Sequence, residues 1–295
     1  MRFDYYSASI EDDSKAVIET LRKLGDELQP CHNLAKAYHF DKGYAVMRQD
    51  SGLVCKVFHK PGAKPYAFAS SDATDDFCDL VRNQWTDKHL VTRMDPCQDF
   101  YDVKARRKLT GIARRMAKDR RMRLSVIFDP LDPTAGQTTY LGSQSSEYRL
   151  RIYDKGWEQF GRLQKRLGRN AGLLPKDITF TLPGGQQVQP DQWIRAELQA
   201  RPKEEEARRL AATCTPEQAW GLADWTHDLA KRAFALELQR IYIRAHKQSE
   251  DDKALRWMLR QYKGPLLRMA SDLGGWDCVG LTLGEMLKEM ERQEV

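Results

Sequence analysis

The residues best suited to chemistry lie in the stretch Tyr148-Arg-Leu-Arg-Ile-Tyr-Asp154. Its alternation reads as a β-strand, whose side chains point to opposite faces in turn. Arg149, Arg151, Tyr153 and Lys155 share one face, and Tyr148, Leu150 and Ile152 share the apolar one. A phenol with a pKa of about 10 is a poor nucleophile unless positive charge or a metal assists it. Arginine and lysine supply that charge, and they also hold a phosphate and offset the charge it develops. The stretch therefore suits phosphoryl transfer, with Tyr153 as nucleophile and Arg151 and Lys155 beside it. Taken alone, it more readily describes an edge strand with a solvated basic face and an incidental tyrosine.

Two further stretches carry acids in a strand-like pattern. In Thr92-Arg-Met-Asp-Pro-Cys-Gln-Asp-Phe100, alternation puts Asp95, Cys97 and Asp99 on one side. Paired carboxylates on one face can bind a hard divalent cation. Pro96 signals a bulge or an edge in that strand. In Gln192-Trp-Ile-Arg-Ala-Glu-Leu198, Trp193, Arg195 and Glu197 alternate with Ile194, Ala196 and Leu198; taken alone, Glu197 reads first as an ordinary surface glutamate, and otherwise as a metal ligand or the partner of an arginine.

Other chemistries find little support. The six histidines are far apart and form no two-histidine strand motif, so carboxylates must supply most of any metal site. The six cysteines show neither CxxC nor zinc spacing and read as reduced thiols. Gly184-Gly185 lacks the Lys-Ser/Thr of a phosphate-binding loop, which removes the basis for ATP use. No aromatic-rich RNA-binding signature is present. The N-terminus has no apolar secretory core, and no apolar run nears the ~20 residues of a membrane span, so a cytoplasmic protein without a membrane partner is expected.

The elements that must position these residues alternate between strand and helix up to about Pro202. Strands are predicted over 3–10, within 38–66, and over 90–95, 124–128, 138–141, 148–154 and 193–200. Helices are predicted over 16–28, 72–85, 103–122 and 157–167. Beyond Pro202 only helices follow, over 203–212, 216–245, 252–273 and 281–291. We therefore place an α+β domain at 1–202 and an all-helical domain, for DNA binding or interaction, at 203–295. Net charge is +6, from 48 lysines and arginines against 42 acids, which permits a polyanionic partner. The excess is concentrated: Arg106, Arg107, Lys108, Arg114, Arg115, Lys118, Arg120, Arg121 and Arg123 are interrupted only by Asp119, and Arg162, Lys165, Arg166 and Arg169 form a second group. Such runs are either DNA-contacting or merely solvated helix faces.

Taken together, three segments resemble the replication initiation factor family of rolling-circle plasmids and filamentous phages, also called the Rep_trans family. Thr138 to Glu158 is similar to its YxGS…S…RIYDKxxE pattern, Val91 to Asp99 to its TRxDxxxD, and Ile194 to Leu198 to its RxEL, in the same order. The resemblance implies an HUH-like, circularly permuted antiparallel sheet with flanking helices. It implies a DNA nickase in which Tyr153 is the nucleophile, Asp95, Asp99 and Glu197 hold Mg²⁺ or Mn²⁺, and Asp4 is a reserve ligand. The expected product is a 5′-phosphotyrosyl link with a free 3′-hydroxyl. The expected partners are single- and double-stranded origin DNA, with Arg149, Arg106, Arg107, Lys108, Arg114, Arg115 and Lys118 as contacts, and beyond these a host helicase and a second copy of the chain. A conjugative relaxase shares this chemistry, and a non-catalytic DNA-binding regulator would keep the fold without it.

Overall fold

The computed structural model describes residues 1–168, 172–182, 185–235, 255, 257–259 and 261–293. Arg169, Gly184 and most of the helices expected over 236–260 lie outside the described residues. The chain forms two compact units, Met1–Ile243 and Arg244–Val295.

The first unit is built on ten antiparallel strands: β1 (Arg2–Ile10), β2 (Glu27–Pro30), β3 (Lys42–Arg48), β4 (Gly52–His59), β5 (Tyr66–Ser70), β6 (His89–Phe100), β7 (Leu124–Phe128), β8 (Gln137–Leu141), β9 (Tyr148–Asp154) and, after the short hairpin β10 (Phe180–Thr181) and β11 (Gln187–Val188), β12 (Ile194–Ala200). Their order is β2-β3-β4-β5-β1-β6-β12-β9-β8-β7, with the hairpin forming a separate sheet. Between them lie α1 (Ser14–Arg22), α2 (His32–Ala37), α3 (Thr74–Gln84), α4 (Val103–Asp119) and α5 (Lys155–Leu167), and after β12 come α6 (Glu205–Thr213), α7 (Pro216–Ala219) and α8 (Asp224–Phe234). The second unit contains α9 (Lys263–Asp272) and α10 (Trp276–Gln293), which pack on each other. The α+β class, with a large antiparallel sheet, flanking helices and a helical C-terminal region, agrees with expectation.

The apolar face of the sheet carries the core. Phe3, Tyr6, Ala8 and Ile10 of β1 meet Val17 and Leu21 of α1 and Phe77 and Val81 of α3. Leu150, Ile152, Ile194, Ala196 and Leu198 meet the α4 stripe Leu109, Ile112, Ala113 and Met116, together with Trp220 and Leu229. Ala211, Ala212 and Ala219 of α6 and α7 are buried in the same core. The expected boundary at 202 is therefore corrected: the change from strand to helix is not a change of domain, because these helices are needed to cover the sheet.

Two local differences have plain causes. The helix expected over 16–28 ends at Arg22, and Glu27–Pro30 pairs with β3 instead. Gly25 permits the turn because it is pressed against β3, where a Cβ would sit 2.5 Å from the Met47 carbonyl oxygen. The strand expected to stop at Asp95 runs through Pro96 to Phe100. The bulge that Pro96 signals lies on its partner strand: Phe3 faces Pro96 and Tyr5 faces Asp95, leaving Asp4 as the extra residue.

Candidate active site

The three acid- and tyrosine-bearing segments become neighbours on the polar face of the sheet. β12 lies between β6 and β9, with Arg195 opposite both Asp99 and Tyr153 and Glu197 opposite both Cys97 and Arg151. Residues on strands three and six apart in the chain thus share one surface, because the period-2 pleat puts every second residue of each strand on it.

Tyr153 is 5% exposed, and its hydroxyl donates to Glu197 Oε2 at 3.3 Å. Arg151 donates to the same oxygen at 2.9 Å, and its guanidinium lies 4.0 Å from the centre of the Tyr153 ring. Lys155 starts α5 rather than continuing the strand, yet its Nζ stays 5.7 Å from that ring, with Glu158 as its partner at 2.8 Å. Burial, and then the Glu197 charge, push the Tyr153 phenol well above its ordinary value, against the opposing pull of Arg151 and Arg195. The phenol is therefore a protonated donor at neutral pH. Burial, reinforced by Asp95 and Asp4, pushes the Glu197 carboxyl up to about 7, although Arg151 opposes the shift. The Tyr153 hydroxyl is thus bonded to a carboxylate able to take a proton near neutrality.

The expected metal set does not converge. Asp95 is buried and paired with Arg93, whose Nε donates to it at 2.8 Å. Asp99 takes a two-pronged contact from Arg195 at 2.7 Å on both oxygens, and Arg195 also donates to Asp4 at 2.6 Å. Glu197 is paired with Arg151. Asp95, Asp99 and Glu197 are therefore held by three different arginines, and among the described residues no three His, Cys, Asp or Glu groups gather as a metal ion would require. Burial raises the Asp95 carboxyl despite Arg93. At Asp4 burial acts in the same sense but is outweighed, first by Arg195, and the carboxyl is lowered.

Arg93 and Arg195 were given no role from sequence, although both lie inside the matched motifs. Arg195 is 1% exposed and is the common partner of Asp4 and Asp99. Removing one member of a buried ion pair strands the other's charge, at a cost of about 3–5 kcal/mol. Arg195→Ala should lower the unfolding free energy by that amount, read from a denaturant titration; a loss below about 1 kcal/mol would show that the network does not support the fold.

The basic residues divide between two faces. Arg149 lies on the Tyr153 face, its guanidinium 3.8 Å from the Tyr140 ring centre. Nε of Arg149 and Nε of Arg151 are buried without a hydrogen-bond partner, so this face retains unspent donor capacity. The α4 residues Arg107, Lys108, Arg114, Arg115 and Lys118 are exposed, but α4 packs on the apolar face, behind the tyrosine. Arg106 is exposed on the same helix and is bound to Asp154 at 2.8 Å. α4 therefore covers the side of the sheet opposite Tyr153.

No family model matches the chain, and no curated protein does. Among solved structures the chain is similar to a rolling circle replication initiator protein from Geobacillus stearothermophilus, at 14% identity and a TM-score of 0.46, over 81% of this chain and 98% of that one. Among the described residues no helix is long and apolar enough to cross a membrane.

Proposed function

We propose that the chain initiates rolling-circle replication by cutting one DNA strand with Tyr153. The observation that carries this reading is the convergence of the three family-like segments on adjacent strands, with the Tyr153 hydroxyl on Glu197. As Tyr153 attacks, its proton passes to Glu197. The bond from its oxygen to phosphorus forms while the bond from phosphorus to the 3′ oxygen breaks, and that oxygen takes a proton to become the 3′-hydroxyl primer. Arg151, close to both Glu197 and the tyrosine ring, offsets charge on the phosphate, and Lys155 adds to the local positive field. The 5′-phosphotyrosyl ester conserves the energy of the broken bond, so the strand can be rejoined without ATP. The resemblance also implies Mg²⁺ or Mn²⁺, but the carboxylates as placed do not fit such an ion, since each one is matched to an arginine.

The test is covalent capture. Single-stranded oligonucleotides tiling the replicon that encodes the chain are incubated with the protein, in Mn²⁺ and in EDTA, and adducted peptides are mapped by mass. An adduct on Tyr153 is expected. An adduct on another residue, or none with any oligonucleotide, overturns the reading. Capture in EDTA would assign charge stabilisation to the arginines, whereas a strict need for Mn²⁺ would return the carboxylates to the role of ligands.

A further inference from the structure

The polar face continues beyond the tyrosine site onto the β1-β5-β4 half of the sheet, where it carries aromatic rings in place of ion pairs. Tyr5 stacks on Phe68 with centroids 5.9 Å apart, Phe68 on Tyr38 at 6.0 Å, Tyr38 on Tyr66 at 6.2 Å, and Tyr66 on Phe40 at 6.0 Å. The planes of these neighbours differ by only 24°, 22°, 25° and 15°. The rings are not sealed in a core: Tyr38 is 45% exposed, and the other four are half-buried. Cations accompany them. Lys56 Nζ lies 5.7 Å from the Phe68 ring, Lys60 Nζ 5.7 Å from Phe40, and the Arg93 guanidinium 4.4 Å from Tyr5. Among the described residues neither Lys56 nor Lys60 has a carboxylate partner. Arg93 also binds Asp95, so it joins the aromatic row to the tyrosine site.

We infer that this row is a binding platform for the single-stranded DNA flanking the scissile phosphate. Bases stack on half-exposed rings whatever their sequence, and lysines beside the rings meet the backbone phosphates. β9 and β5 are four strand spacings apart, about 19 Å, so one extended strand can lie over the rings while its phosphate reaches Tyr153. Duplex DNA presents no unstacked base and gains nothing from the rings. The inference rests on the strand-cleavage reading of Tyr153, which says why a single strand should be at this face.

Binding of the full chain to oligothymidylate of about 20 nucleotides is read as an affinity, and adduct formation at Tyr153 is scored separately on the same samples, so that failure of one is distinguishable from failure of the other. Fluorescence anisotropy is read for wild type, Tyr38→Ala, Phe68→Ala, Phe68→Tyr and Lys56→Gln, with a duplex of equal length alongside. Tyr38→Ala and Phe68→Ala are each expected to weaken single-strand binding by about 5- to 150-fold. Phe68→Tyr should retain it, Lys56→Gln should make binding less steeply dependent on salt, and duplex binding should not change in the ring variants. Wild-type affinity in both alanine variants overturns the platform, as does an equal loss for duplex. Should Phe68→Ala fail to fold, Tyr38→Ala decides the matter on its own, since that side chain is the most exposed of the five and unchanged affinity there is a refutation.

Discussion

Tyr153→Phe is expected to abolish nicking of a supercoiled plasmid bearing the origin, by roughly 10⁴- to 10⁶-fold, the scale on which loss of a covalent nucleophile acts. The substitution removes one oxygen from a ring that is otherwise held by Arg151 above it and by strand pairing on both sides. The ring, its burial and the guanidinium contact all persist, so the fold and the affinity for DNA should be kept. The pairing of retained binding with lost cleavage separates a missing nucleophile from a damaged protein. The readout is conversion of supercoiled to open-circular DNA, with binding followed by gel shift. Undiminished nicking by the variant would remove Tyr153 from the mechanism.

Glu197→Gln should slow cleavage by about 10²- to 10⁴-fold, the usual contribution of a general base. Glutamine is nearly the same shape, and its carbonyl oxygen can still accept from Arg151, but it cannot take the tyrosine proton. The pH dependence gives the sharper test. Burial raises the carboxyl from the ordinary 4.5 to about 7, so the proton-accepting form fills as pH rises through about 7. Wild-type cleavage should rise across that interval, and the residual rate of Glu197→Gln should not. Stability should move the other way. An acid whose folded pKa is raised contributes stability that is fully present below its unfolded value near 4.5 and is lost as pH rises through about 7. The wild type should therefore lose stability between those limits while gaining activity, and Glu197→Gln should lose less. A rising rate that persists in the glutamine variant would assign the titration to another group.

Part of the platform and of the site could be read in the chain and part could not. The tyrosine strand is a case of the first kind: Tyr148–Asp154 was expected with those ends and has them, because alternation between polar and apolar residues is a local property. The same alternation put Asp95, Cys97 and Asp99 together on one face, and Pro96 did not interrupt it. The aromatic row is a case of the second kind. Its rings come from Tyr5, Tyr38, Phe40, Tyr66 and Phe68, scattered over two strands and the segment that follows α2, and no window of the sequence contains them.

Local periodicity and the motif pattern thus determined that a tyrosine and two arginines would share a strand face and that acids would line two others. Tertiary structure alone decided who pairs with whom. Arg195 meets Asp99 across 96 positions of chain and Asp4 across 191, and the bulge at Asp4 turns that carboxylate toward it. These pairings take the acids that a cation was expected to hold. The charge run on α4 was legible as well, but which side of the sheet it faces was not. That was settled by its apolar stripe, which has lower free energy against Leu150 and Ile152 than in water and so carries the arginines to the side away from the tyrosine. Strand register and helix placement are set by contacts between distant parts of the chain, which is why the Tyr153 strand could be read from sequence while the hydrogen bond from Tyr153 to Glu197 could not.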